Sequence, residues 1–391
     1  MTDKNIEIDR VEGALIGVAL GDALGMPTEF MSRDEIKASF GRITEFITAP
    51  DWHPLADLPA GKITDDTEQT LTIAKLVKEK PDFTPVDVAE AMLDWARNSL
   101  DSKFQAQDDD SNEGDDNLNK MGPSTLQALS RYARGESPYT TGLTGNTNGA
   151  AIRVSPVALA NPGAPEGLAE RILTLCIPTH CTEVAVAGSC AAGYWISRAA
   201  AGGDKAEAYQ AALAGCRQGS RLFRERIRGK IQDKVEQFAD DRKWQVLSSQ
   251  INPGMLERIK WAEELTGMGG TVGAAGVEAE GVEAAGREQS GEQLKERIYE
   301  RLLKSLGTGV LMIETVPLAL SLARLTEDPF EAVVLGASAG GDTDSIASIT
   351  GGLMGSLAGR ERFPARLVKE LERKNEIDFA LLAEGLVQTG S

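Results

Sequence analysis

The chain has 391 residues, 41% of them apolar, and a net charge of −18. That length and apolar content suffice for a large core, and the acidic balance excludes a nucleic-acid partner read by the surface as a whole, since phosphate binding needs clustered Lys/Arg. Histidine is limited to His53 and His180, and Cys176, Cys181, Cys190 and Cys216 form no C-x-x-C pair, so chemistry must rest on carboxylates, with the thiols buried and free rather than zinc-bound or disulfide-bonded.

The first ten residues, MTDKNIEIDR, are polar, and the apolar run from Val11 is broken by Gly13, Gly17, Gly21 and Asp22. No signal peptide is predicted, no stretch is long and uncharged enough to span a bilayer, and a cytoplasmic protein with no membrane partner is expected. Val11, Leu15, Val18 and Ala19 share one helical face. The same helix carries glycines that permit close backbone approach, and Pro27 marks its end. Asp22, inside this small-residue helix, needs a partner; a hydrogen bond supporting a ligand residue is expected rather than direct metal contact. Glu29 follows on a loop, as an ordinary exposed acid or one able to swing over a site.

Ile63-Thr64-Asp65-Asp66-Thr67 precedes an amphipathic helix whose face is Leu71, Ala74, Leu76 and Val77. Thr64 or Asp65 can serve as its N-cap, but adjacent carboxylates repel, and two cap little better than one. Val88, Met92, Leu93 and Trp95 mark the next helix. The DDDSNEGDD core of residues 105–119 lacks calcium-loop spacing and reads as a solvated acidic loop. Gly122-Pro123-Ser124-Thr125 is a turn leading into a helix. Asn148-Gly149-Ala150, within TNGAAIRVSP, is another, with backbone N–H groups suited to an anionic oxygen. Thr179-His180 opens the small-apolar helix Val184–Trp195, where a lone histidine serves structure or function equally well. Arg217–Trp261 reads as charged faces of two helices, and the Gly/Ala/Glu-rich Gly267–Glu292 as a flexible excursion.

The last motif is GGDTDS, with Asp342, Asp344 and Ser345 at the head of an apolar segment in which Gly351, Gly355 and Gly359 recur every four residues. That spacing lets a neighbouring helix pack close. The acids either cap the helix and face its dipole or hold a cation. The second acidic cluster favours the cation: Thr64, Asp65, Asp66, Asp342, Asp344 and Ser345 form an all-oxygen set for two Mg²⁺ or Mn²⁺ ions if the two helix starts converge. Alternating Val/Ile runs are nearly absent, and the fold is expected to be all-α.

The order GDALGMPTE, TDDT, GPST, NGAAIRVSP, TH, GTGVLMIETVP, GGDTDS resembles the ADP-ribosylglycohydrolase family over most of the chain. The resemblance implies one all-α orthogonal multi-helix domain over residues 1–391, interrupted by an insertion at about 217–292, with a binuclear Mg²⁺ or Mn²⁺ cleft. It places the metal ligands on the same six residues, a mobile gating glutamate on Glu29, and substrate contacts on Gly122, Pro123, Ser124, Thr125, Asn148, Gly149, Ala150, His180, Gly307, Thr308 and Gly309. The implied activity is hydrolysis of a ribosyl glycosidic bond, releasing ADP-ribose from a modified protein or related conjugate, with Glu29, Asp65 or Asp66 moving the proton. Alternatives are a nucleoside hydrolase with the same centre and a catalytically silent binding protein; the presence of all six ligand positions speaks against the latter. Lys120 stands where some members carry an aspartate, and ETVP at Glu314–Pro317 resembles a bacterial branch of less defined substrate.

Overall fold

The computed structural model describes residues 3–99, 121–163, 166–228, 254–266 and 291–389. The acidic segment 105–119, Lys120 and the larger part of the 217–292 insertion lie outside them. The helices run in the order α1 (Asp3–Gly25), α2 (Arg33–Ser39), α3 (Asp65–Glu79), α4 (Pro85–Ser99), α5 (Pro123–Ala133) and α6 (Pro138–Thr141). There follow α7 (Gly149–Ile152), α8 (Ser155–Leu159), α9 (Leu168–Cys176), α10 (Glu183–Ala200), α11 (Lys205–Phe223) and α12 (Met255–Thr266). The chain closes with α13 (Gly291–Leu306), α14 (Met312–Leu325), α15 (Pro329–Ala337), α16 (Thr343–Ala358), α17 (Ala365–Asn375) and α18 (Phe379–Thr389). Among the described residues, β pairing is limited to one isolated bridge between Thr147 and Leu311. The fold is all-α, as expected, and no single described helix is long and apolar enough to cross a membrane.

From Val11 onward α1 is buried on every side because it runs through the centre, and apart from Glu12 and Asp22 it is built of small and apolar residues; Val11, Leu15, Ile16 and Leu20 are at most 2% exposed. Its main neighbour is α16, and the close fit follows from the residues at the crossing. A Cβ built on Gly17 would land on the backbone of Gly351, and one on Gly351 would land on Gly17. The two backbones therefore touch, and neither position has room for a side chain. The same row continues down α1 to Gly25, where an added Cβ would lie 2.5 Å from Asp344 Cα. The partner anticipated for the Gly351–Gly359 spacing is thus α1, and the pairing sets the end of α1 directly against the start of α16.

The other predicted faces are met with one shift. Val88, Met92, Leu93 and Trp95 are buried, as are Ala74 and Val77, while Leu71 and Leu76 are half-buried and Ile73 takes the core position between them. All four cysteines are buried and free. Burial pushes the Cys176 thiol up to about 11 and Cys216 to about 12, which makes them inert packing groups.

Candidate metal centre

Three chain segments meet where α1 ends and α16 begins. After Gly25 the backbone turns through Met26–Thr28, and Thr28 Oγ1 donates to Ala337 O (2.8 Å) while Thr343 Oγ1 donates to Gly25 O (2.9 Å). The Phe30 N–H donates to Gly341 O (2.9 Å) and the Gly341 N–H returns to Met31 O (2.8 Å). Gly341 has φ +75°, and a Cβ there would strike Thr308, so only glycine lets Asp342 N–H reach Thr308 O at 2.8 Å. These contacts place Glu29 over the head of α16. Carboxylate oxygens of Glu29, Asp342 and Asp344 all lie within 4.8 Å of one another.

The second cluster arrives on α3, anchored from α1. Asp22 is fully buried and accepts from Thr64 N (2.9 Å), Thr64 Oγ1 (2.8 Å), Thr67 N (3.1 Å) and Thr67 Oγ1. It therefore caps α3 from another helix, in the supporting position its sequence context suggests. Neither Thr64 nor Asp342, the N-cap residues of α3 and α16, caps its own helix through its side chain. Capping thus does not account for the acids of either cluster, although Asp344 Oδ1 does accept from Ser345 N at 2.8 Å.

Ser345, at the head of α16, offers a hydroxyl that offsets the burial of both Asp66 and Asp342. Asp65 Oδ2 accepts from Gln69 Nε2 (2.7 Å), and Asp66 Oδ2 is buried with no partner. Burial, reinforced by neighbouring carboxylates, holds Glu29, Asp66 and Asp344 well above the usual acid range and pushes Asp65 to about 8. Asp22, with its four donors to offset burial, reaches about 6. Asp342 is raised too, against hydrogen bonds from Asp344, Asn148 and Ser345. Buried carboxyl groups gathered this closely need their charge compensated by a proton or a cation. The donor set is oxygen throughout, with an orphaned carboxylate oxygen and a neutral hydroxyl, which fits a hard divalent cation and not a site for softer metals.

The remaining expected site residues divide into supports and rim. Asn148 Nδ2 donates to Asp342 Oδ2 (2.5 Å) and Thr315 Oγ1 (3.1 Å), and its N–H goes to Val310 O (2.9 Å). Its amide nitrogen and backbone N–H are thus bonded within the protein. Gly307–Gly309 is clasped by Glu314, whose Oε2 accepts from Gly309 N (2.8 Å), so this loop lies against Asp342. Gly149 is half-buried and Ala150 buried; Gly122 and Pro123 are exposed, Ser124 and Thr125 buried. His180 is 0% exposed. Its Nε2 meets Thr147 Oγ1 (3.0 Å) and its Nδ1 meets Arg153 Nη2 (3.2 Å) and Thr179 Oγ1 (2.9 Å). The ring lies beneath Gly149 and props the 147–149 turn, with neither nitrogen left for a ligand; burial and Arg153 keep it neutral.

Two residues without a role in the sequence reading complete the support. Arg153, also 0% exposed, donates to Gln69 Oε1 (2.5 Å) and Thr179 Oγ1 (2.5 Å), while Gln69 donates to Asp65. An amide thus links a buried guanidinium, pushed down to about 10 by desolvation, to a site carboxylate. Gln69 lies four residues after Asp65, one turn along the same helix face, and that spacing was the available signal.

The pattern of the ADP-ribosylglycohydrolase family matches residues 3–390. The chain is 29% identical over 387 residues to the uncharacterized protein YegU of Escherichia coli (strain K12), covering 98% of both. It is 33% identical over 175 residues to the ADP-ribosyl-[dinitrogen reductase] glycohydrolase of Rhodospirillum rubrum, across 44% of this chain and 51% of that one. It is 28% identical over 163 residues to ADP-ribosylarginine hydrolase Tri1 of Pseudomonas putida (strain GB-1), across 39% of this chain and 36% of that one. A solved structure described as an ADP-ribosylglycohydrolase-related protein complex superposes with a TM-score of 0.61 at 21% identity, covering 99% of this chain and 100% of that one, and shares the fold. The chain belongs to the ADP-ribosylglycohydrolase family, a family of glycosidases.

Proposed function

We propose that this chain hydrolyses a ribosyl glycosidic bond in a metal-dependent reaction, releasing ADP-ribose from a modified protein side chain or a related conjugate. The observation that carries the reading is the gathering of Glu29, Asp342 and Asp344 within 4.8 Å of one another, with Asp65 and Asp66 near enough for the charges of the two clusters to act on each other. In this reading Thr64, Asp65, Asp66, Asp342, Asp344 and Ser345 hold two Mg²⁺ or Mn²⁺ ions. Bound cations would supply Lewis acidity, fixing sugar hydroxyls and lowering the pKa of water. The protein's own groups do the rest. Asp22, Asn148 and Gln69 fix the orientation of Thr64, Asp342 and Asp65 through the bonds described above. Glu29 or Asp65, both half-buried, or the buried Asp66 takes the proton from the attacking water. Gly122–Thr125, Gly149, Ala150 and Gly307–Gly309 border the substrate. The charge that develops on the ribose faces this row of acids.

The test is turnover of ADP-ribosyl-arginine, ADP-ribosyl-serine, O-acetyl-ADP-ribose and free nucleosides with Mg²⁺ and with Mn²⁺. At least one ADP-ribosyl conjugate should be cleaved, and Asp344→Ala and Asp66→Ala should each abolish cleavage while the helical circular dichroism is kept. Turnover that survives exhaustive chelation would overturn the metal-dependent reading.

A further inference from the structure

A group of rings with no part in the chemistry above starts at the residue after Glu29. Phe30 follows Glu29 directly, is 57% exposed, and holds φ +66°, a backbone conformation rare for a bulky residue. Its N–H bond to Gly341 pins it next to Asp342. Trp52 is 59% exposed. His53, 3% exposed, contacts both rings, with centroids 5.7 Å from Phe30 and 5.8 Å from Trp52. His53 Nδ1 accepts from the Leu55 N–H (3.0 Å), so the ring proton belongs on Nε2, and that buried nitrogen has no partner. Burial lowers the proton affinity of the ring, consistent with a neutral donor.

We infer that Phe30, Trp52 and His53 form a subsite for a planar heteroaromatic ring carried by the ribosyl substrate. Two exposed aromatic faces suit a flat ring. An orphaned N–H donor demands an acceptor, because a buried polar group left unpaired is costly. A heteroaromatic base offers both the face and the acceptor. A guanidinium, although flat, offers only donors, and so fits the faces but not His53. The inference rests on the proposed ribosyl activity, since the ring is taken to be attached to the sugar held at the carboxylates. Such a ring has two sources: the group leaving from C1 of the ribose, or the adenine at the far end of ADP-ribose.

The experiment uses the full chain with saturating Mg²⁺ and measures calorimetric affinity for three probes: carbocyclic adenosine, whose base–ring bond is not glycosidic, ADP-ribose, and ribose 5-phosphate. Trp52→Ala removes an exposed side chain, and Phe30→Gly removes a ring while relieving the positive φ, so both variants keep the fold. Each should weaken a ring-bearing probe by about ten-fold and leave ribose 5-phosphate unchanged. A loss confined to carbocyclic adenosine assigns the ring to the leaving group, and a loss confined to ADP-ribose assigns it to the distal adenine; either supports the subsite. Binding of all probes with no change in either variant, or an equal loss for ribose 5-phosphate, would overturn it while leaving the ribosyl reading intact. Failure of all three probes to bind the wild type would overturn that reading, and the subsite with it.

Discussion

Replacing Gly25 by alanine adds one methyl group at the point where the bundle's central helix pair meets the candidate metal centre. The new Cβ would stand 2.5 Å from Asp344 Cα, Asp344 N and Thr343 O. Carbon atoms are comfortable at about 3.5–4.0 Å, so α1 and α16 must separate locally by about 1 Å. Both sides of the contact are helix backbone, which cannot rotate away as a side chain does. Overpacking of this kind costs about 1–3 kcal/mol. Because the displaced residue is itself a candidate ligand, a shift of about 1 Å should also cost about 10²-fold in turnover. Gly17→Ala is the matched control: its Cβ strikes Gly351 two turns away from the acids. Thermal unfolding followed by circular dichroism should fall in both variants, by about 2 °C or less per kcal/mol in a chain of this size. Calorimetric titration with Mg²⁺ or Mn²⁺ should weaken in Gly25→Ala alone. Wild-type stability in Gly25→Ala, or equal loss of metal affinity in the two variants, would refute the claim that this packing sets the position of Asp344.

Three further outcomes follow from the electrostatics and the supporting bonds. Asp65 and Asp22 lie at about 8 and about 6, above their ordinary 3.8, so without metal the folded state binds more protons than the unfolded one between about pH 4 and 8. Stability of the chelated protein should therefore rise as pH falls through that window, and saturating Mg²⁺ should flatten the rise; melting curves against pH with EDTA and with Mg²⁺ check this, and a fall in stability over that window would contradict it. Asp66→Asn should raise the melting temperature of the chelated protein by removing a buried charge, yet weaken Mg²⁺ binding by about 10²-fold or more, so lower stability without metal would count against the charge argument. Asp22→Ala leaves the four donors of Thr64 and Thr67 without an acceptor and should cost about 3 kcal/mol in urea unfolding; a loss under about 1 kcal/mol would show that water replaces the carboxylate.

Much of this molecule is local and could be read from order along the chain. Helical periodicity located α1, α3, α4 and α10, because the 3.6-residue repeat of apolar side chains is a property of neighbours. The acids of TDDT and GGDTDS announced themselves by chemistry, since carboxylates beside apolar helices need compensation. The order of motifs pointed to the family that the whole-chain match shows. His180 and Asn148 were harder, because sequence records a side chain's identity and not its direction. The structure adds that His180 lies under Gly149 and that the amide nitrogen of Asn148 bonds Asp342.

The sequence by itself therefore determined several of the helices, the glycine spacing and the all-oxygen character of the candidate ligands. The tertiary structure alone decided which glycine row meets which. It also decided that Asp22 of α1 caps α3, that Arg153 acts on Asp65 through Gln69, and that His53, with an orphaned Nε2, meets two exposed rings. The physical reason is range. Periodicity and capping preference act over a few residues, whereas Gly17 and Gly351 find each other only because each lacks the one atom that would keep the other's backbone away.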